Sequence, residues 1–196
     1  RQRQMCIRDS GSTVSGLTIN NTKGALSING IYVGQLHGIW ITKSNNNTIV
    51  NNTIRIANAA GVYAMPMGWS SYNRIIGNDM STYITCVMVM GQCHYNIISK
   101  NKLETLDYND LIVSNLIYFN PFGHADYGGS PLCLGNVISD NYLKAFCNGA
   151  MSIVLQLVYE NHINTTIANN TIIRGSYGIS LYSDNATVYN LSLIHI

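Results

Sequence analysis

Apolar residues recur along this chain in a fixed frame: Asn47, Ile49 two on, Asn52 three beyond and Ile54 two on again. The frame returns as Asn73/Ile75/Asn78/Met80, Asn96/Ile98/Asn101/Leu103, Asn136/Ile138/Asn141/Leu143 and Thr165/Ile167/Asn170/Ile172. A looser copy places Val14 and Ile19 at its two apolar positions, and Val188 opens a last one. Taking the first apolar position as marker, the copies lie 35, 26, 23, 40, 29 and 21 residues apart. A fixed pattern at variable spacing marks a structural repeat that carries insertions. A weaker motif precedes several copies, as Gly38-Ile39-Trp40-Ile41, Gly61-Val62-Tyr63-Ala64, Gly149-Ala150-Met151-Ser152-Ile153 and Gly178-Ile179-Ser180-Leu181. Each alternates as a short half-buried strand does.

One unit therefore reads as strand, polar turn, strand, Asn, strand, and nothing sustains a helical period. Short strands without helices to carry crossovers exclude a doubly wound α/β sheet. They predict an all-β chain, a right-handed single-stranded parallel β-helix solenoid of about seven coils. Stacked at about 4.8 Å, such coils make a rod about 34 Å long. The inward positions, Ile49, Ile54, Ile75, Met80, Ile98, Leu103, Ile138, Leu143, Ile167 and Ile172, are expected to form aliphatic stacks worth roughly 1.5–3 kcal/mol per buried side chain. The Asn at the third frame position (Asn52, Asn78, Asn101, Asn141, Asn170) is expected at a sharp turn, in the left-handed conformation Asn tolerates. Its amide would then donate and accept from coil to coil as an Asn ladder, a structural role and not a ligand-binding one.

Both ends stand apart from the repeat. Residues 1–10 resemble the translation of a transposase-type sequencing adapter, and residues 191–196 that of the reverse complement of its end. Both are read as scars outside the fold, leaving residues 11–190 as a repeat domain without native caps. Removing them takes three basic residues from 11 and one acid from 9, so the remainder carries eight of each and is formally neutral. A neutral chain offers no basic stripe for nucleic acid. No apolar run approaches the roughly 20 residues of a membrane-spanning helix. Solubility must then come from Asn, Ser, Thr and Gly, as in extracellular β proteins. Cys86, Cys93, Cys133 and Cys147 lack CxxC spacing, which argues against zinc, and are expected as small buried hydrophobes. The Asn-x-Ser/Thr triplets at Asn20, Asn46, Asn51, Asn164, Asn169 and Asn185 permit glycosylation of an exported chain, yet the repeat generates that triplet by itself.

The Gly-Ile-x-Leu and Asn-Thr-Ile-x-x-Asn-x-Ile pattern resembles the parallel β-helix (PbH1) repeats of the pectate-lyase-like superfamily, and within it the coils of NosD-like and adhesin-like surface proteins. The resemblance covers nearly all of residues 11–190 and implies the fold. It implies function only weakly, because this architecture serves lyases, hydrolases, epimerases and plain surface rods. Enzymes of the superfamily tend to hold substrate in a groove bounded by inserted loops, which draws attention to the largest insertion, about residues 104–135. Asp107, Asp110, His124 and Asp126 lie there beside Tyr118, Phe119, Phe122 and Tyr127, a mixture able to grip a sugar ring and exchange protons with it. Adjacent aspartates and a Gly-His-Gly, which the polygalacturonase resemblance would imply, do not occur. The eight acids are too scattered for a Ca²⁺ site. A NosD-like resemblance implies copper, for which Cys86, Met88, Met90, Cys93 and His94 are the soft candidates; alternation of this kind equally suits an inward-facing strand.

Two functions follow. The first is a non-catalytic extracellular or cell-surface rod that displays carbohydrate-contacting loops to polysaccharide or a cell-surface glycan. The second is a polysaccharide-active lyase, hydrolase or epimerase working from the 104–135 insertion. Low charge and the lack of a clustered acid/base set favour the first, with no resident cofactor.

Overall fold

The computed structural model describes residues 5–7, 11–21, 38–56, 63–82, 85–106, 115–120, 133–146, 151–155, 162–174, 177–181 and 185–194. Every strand pairing among them is parallel and joins one repeat to the next, which makes the chain a right-handed parallel β-helix. Three seven-stranded sheets form its walls. Each coil contributes a strand to the first sheet, then the second, then the third, as in Ile39–Thr42, Thr48–Val50 and Thr53–Ile56. The two end segments read as scars each carry a strand, Met5–Ile7 on the first sheet and Ser192–Ile194 on the third.

The apolar frame sets the register. Val14, Ile49, Ile75, Ile98, Ile138, Ile167 and Val188 lie opposite one another through the second sheet. Ile19, Ile54, Met80, Leu103, Leu143, Ile172 and Leu193 do so through the third. A slip of one residue would turn a whole strand's apolar set to solvent, so burial of one face fixes the pairing. Ile49, Ile54, Ile75, Met80, Ile98, Leu103, Ile138, Leu143 and Ile167 are all 0% exposed. In the seventh coil the same columns emerge, with Val188 36% and Leu193 54% exposed.

At the corner between the second and third sheets the Asn ladder is continuous. Asn78 Oδ1 accepts the Asn52 backbone N–H and its Nδ2–H, both at 3.0 Å. The same double bond passes from Asn78 to Asn101, from Asn101 to Asn141 and from Asn141 to Asn170. Each amide also donates to a backbone carbonyl of an earlier coil, as Asn101 does to Ile75 O at 2.9 Å. These side chains are almost fully buried, so each satisfied bond replaces a desolvation penalty of about 1–3 kcal/mol. The left-handed residue is not the ladder Asn but the one before it: Gly16, Asn51, Gly77, Lys100, Asp140, Asn169 and Asn190 all have φ between 51° and 66°. A left-handed residue bends the chain so that the next side chain turns inward, and the inward position is the one the amide needs.

A second ladder, which the frame did not identify as one, lines the corner between the first and second sheets. Asn73 Oδ1 accepts from Asn47 N and Nδ2, both at 2.9 Å, and the row continues through Asn96 to Asn136. It stops at Thr165, whose buried Oγ1 has no hydrogen-bond partner. Left-handed residues precede this row as well: Gly11, Asn46, Tyr72, Tyr95, Gly135, Asn164 and Asn185.

Candidate functional site

The third sheet turns an unusual outer face to solvent. Because side chains alternate along a strand, burying Met80, Leu103 and Leu143 sends Asp79, Lys102 and Glu104, and Tyr142 and Lys144 outward, while Ser81 on the same side is covered at 6% exposure. Register aligns them in two rows, Thr53, Asp79, Lys102, Tyr142 and Thr171 in one, Arg55, Ser81, Glu104, Lys144 and Ile173 in the other. Arg55 Nη2 meets Asp79 Oδ2 at 2.6 Å while its Nη1 donates to Asp79 O at 2.8 Å. Lys102 Nζ lies 3.3 Å from Glu104 Oε1, and Lys144 Nζ stands 4.4 Å over the Phe146 ring. The Phe146 backbone N–H donates to Thr105 Oγ1 at 3.0 Å, which fixes where the ring begins.

These ion pairs are half open to water, the Arg55 and Asp79 side chains 36% and 38% exposed and those of Lys102 and Glu104 50% and 23%. Exposed pairs contribute only about 0–1 kcal/mol each, so stability does not explain their alignment. Together with Tyr142, 36% exposed, they form a strip of alternating charge and hydroxyl groups running along the rod. Such a strip can match the carboxylates and hydroxyls of an extended polymer at the coil spacing.

Asp107, Asp110, His124 and Asp126, the catalytic candidates, lie outside the described residues. The segment that carries them is not one insertion, because the strand Asn115–Asn120 runs through it, paired with Thr85–Met90 on one side and Met151–Leu155 on the other. In chain order Asp107 and Asp110 precede that strand and His124 and Asp126 follow it. Phe119, expected among the sugar-gripping loop aromatics, is 1% exposed in the core. The uninterrupted apolar run around it is what a strand covered on both faces looks like, and flanking acids disguised it as loop.

Of the soft residues considered for copper, Cys86 and Cys93 are buried in the core. Cys86 is fully buried with its Sγ near Glu104 O and Met80 O. Met88 lies between Val87 and Val89, both in the core, and therefore points out of the first sheet rather than in. Cys93 sits at the next corner beneath Ser70, whose N–H reaches its Sγ at 3.5 Å. His94 Nδ1 accepts the Leu134 N–H at 3.1 Å, and burial lowers its pKa. Among the described residues no three His, Cys, Asp or Glu side chains gather as a metal site would require. Cys86, Cys93 and Cys133 are buried free thiols; burial raises all three pKa values, that of Cys133 to about 11.

One cluster went unread in the sequence. Tyr72 and Tyr95 stack at the first corner with ring centroids 5.2 Å apart and planes 20° from parallel, and the His94 ring lies 6.4 Å from that of Tyr95. Both tyrosines are about half exposed, at 53% and 48%, and both are left-handed at φ 59° and 52°. Trp69 nearby is left-handed too, at φ 46°. That conformation costs a residue with a Cβ about 1–2 kcal/mol. The rings fit because glycines lie beneath them: a Cβ on Gly135 would come within 2.5 Å of Tyr95, and one on Gly91 within 2.7 Å of Trp69. The sequence did hold a signal, since Tyr stands before the frame Asn in two copies where Asn46, Gly135, Asn164 and Asn185 stand in others.

Comparison with known proteins adds a family and a fold. The family described as "Protein of unknown function (DUF1565)" matches residues 2–156. Among solved structures, an alginate lyase from Paenibacillus sp. str. FPU-7 superposes with a TM-score of 0.59 at 13% identity, over 96% of this chain and 68% of the lyase. The catalytic domain of a GH87 alpha-1,3-glucanase gives 0.48 at 18% identity, over 87% of this chain and 33% of that one. The A-module of an Azotobacter vinelandii mannuronan C-5 epimerase gives 0.38 at 11%, over 82% and 59%. At such identities the likeness is one of fold. No curated protein matches the sequence.

Proposed function

The chain belongs to this DUF1565 family, and from that premise we propose that it is part of an extracellular or cell-surface β-helix rod whose outer face contacts polysaccharide without cleaving it. The observation that carries this reading is the strip on the third sheet. There Arg55 faces Asp79, Lys102 faces Glu104 and Lys144 faces an aromatic ring, in register on successive coils. Each carboxylate has a cation beside it, an arrangement suited to matching charge along a polymer. Acid/base chemistry instead needs a group aimed at one reacting centre. The fold likeness to an alginate-degrading enzyme guides the choice of polymer to test.

Affinity electrophoresis through gels cast with alginate, pectate or a neutral glucan tests it. Retardation is expected in the uronate gels, weakening as salt rises and on replacing Lys102 and Lys144 with Gln, with no unsaturated uronate released. Equal mobility in every gel would reject the polysaccharide partner. Release of unsaturated products would replace the rod with the enzyme, and Asp107 and His124 would be the next targets.

A further inference from the structure

We propose that the corner formed by Trp69, Tyr72, His94 and Tyr95 is a second binding site, for an uncharged sugar ring, separate from the charged strip of the third sheet. Three observations carry it. The first is backbone strain without an evident structural return. Elsewhere in the row the left-handed position is held by Gly11, Asn46, Gly135, Asn164 or Asn185, residues that adopt it at little cost. Two adjacent coils put Tyr there instead, and each ring leaves about half its surface in water, 53% for Tyr72 and 48% for Tyr95. Strained residues that burial does not repay are a reason to look for a ligand.

The second is that the rings are held ready. Tyr72 stacks on Tyr95 at 5.2 Å, Tyr95 rests on Gly135 and Trp69 on Gly91, so a ligand would meet side chains that have already lost their freedom. The third is chemical. The turns 69–73 and 91–96 contain no Asp, Glu, Lys or Arg. The Leu134 N–H occupies His94 Nδ1, which leaves Nε2 to carry the proton of the neutral ring as a donor. Apolar ring surface beside phenol hydroxyls, an imidazole N–H, Ser71 and Gln92 matches a molecule with C–H faces and a rim of hydroxyls but no charge. A uronate would find no cation within these two turns, although Lys43 on the turn stacked beneath them and Arg74 on the strand that follows flank the site, so the tetrauronate is the comparison that tests the preference.

The full chain would be titrated with maltotetraose, laminaritetraose, cellotetraose and mannotetraose, with a tetrauronate as the charged comparison, following Trp and Tyr fluorescence. At least one neutral tetrasaccharide is expected to bind, insensitively to salt. The variant Tyr72→Asn/Tyr95→Asn installs the residue that other coils use in this row, so its melting temperature should hold or rise while affinity falls about tenfold or more. Replacing Lys102 and Lys144 with Gln should leave this binding unchanged, which separates it from the strip on the third sheet. Failure of every neutral sugar to bind would overturn the proposal. So would retention of affinity in the double variant, or a lower melting temperature for it, which would make the tyrosines structural.

Discussion

Replacing Thr165 with Asn should stabilise the rod, because it continues a hydrogen-bonded row that the native chain leaves unfinished. Four coils carry Asn47, Asn73, Asn96 and Asn136 in this row, and at each step one Oδ1 accepts a backbone N–H and an Nδ2–H from the coil before. Thr165 offers instead a buried hydroxyl that has no partner. Removing one buried unsatisfied group is worth about 1–3 kcal/mol, and two new bonds from Asn136 add about 0.5–1.5 kcal/mol each. Against this, the new amide must be desolvated. One of its hydrogens can reach Cys133 O, by analogy with Asn136 Nδ2 on Cys93 O at 2.9 Å. The other faces Ala186, which has no side-chain acceptor, and gives back about 1–3 kcal/mol. The net is about 1–2 kcal/mol, or a rise of about 2–8 °C in melting temperature for a chain of this size. Thermal and urea unfolding followed by circular dichroism would measure it. An unchanged or lower midpoint would mean that Thr165 is tuned to its site and that ladder continuity is not what holds this corner together.

Three further outcomes follow from the same geometry. Asn101→Ala cuts the other ladder at its middle, leaving the Asn78 N–H without its acceptor and removing one bond each from Asn78 Nδ2, which keeps Ile49 O and Ile76 O, and from Ile75 O, and should cost about 2–4 kcal/mol in urea unfolding; a loss below about 1 kcal/mol would show that water replaces the amide. His94 has its pKa lowered in the fold by burial, so the unfolded chain binds its proton first, and the stability it supplies is whole above the unfolded value of 6.5 and declines as pH falls below it. His94→Asn, which keeps a short acceptor, should flatten that decline between about pH 7.5 and 5 relative to the parent, whereas equal slopes would deny His94 any part in it. Cys86, Cys93 and Cys133 are buried thiols held neutral by desolvation, so site-resolved mass spectrometry should find them unalkylated by iodoacetamide at about pH 8 until urea is added; native labelling of Cys133 would place that corner open to solvent.

The sequence by itself determined the rod. A hydrophobic residue every few positions is a local signal, repeated in each copy and enforced by burial, so Ile49, Ile75, Ile98, Ile138 and Ile167 align from the sequence alone, whatever the spacing between them. The Asn ladder through Asn52, Asn78, Asn101, Asn141 and Asn170 was legible for the same reason. What only the tertiary structure decided concerns groups that meet across coils. Asn96 bonds to a residue 40 positions away and Asn73 to one 23 away, and no local pattern reveals which turn absorbs that difference. Hence the second ladder, the left-handed residue one place earlier than the ladder Asn, and the strand Asn115–Asn120 hidden in an apparent insertion all emerged from stacking. The charged strip of the third sheet and the tyrosine corner have the same origin. Arg55 and Asp79, or Tyr72 and Tyr95, are strangers in sequence, made neighbours by a coil that closes on itself and sets each strand about 4.8 Å from the next.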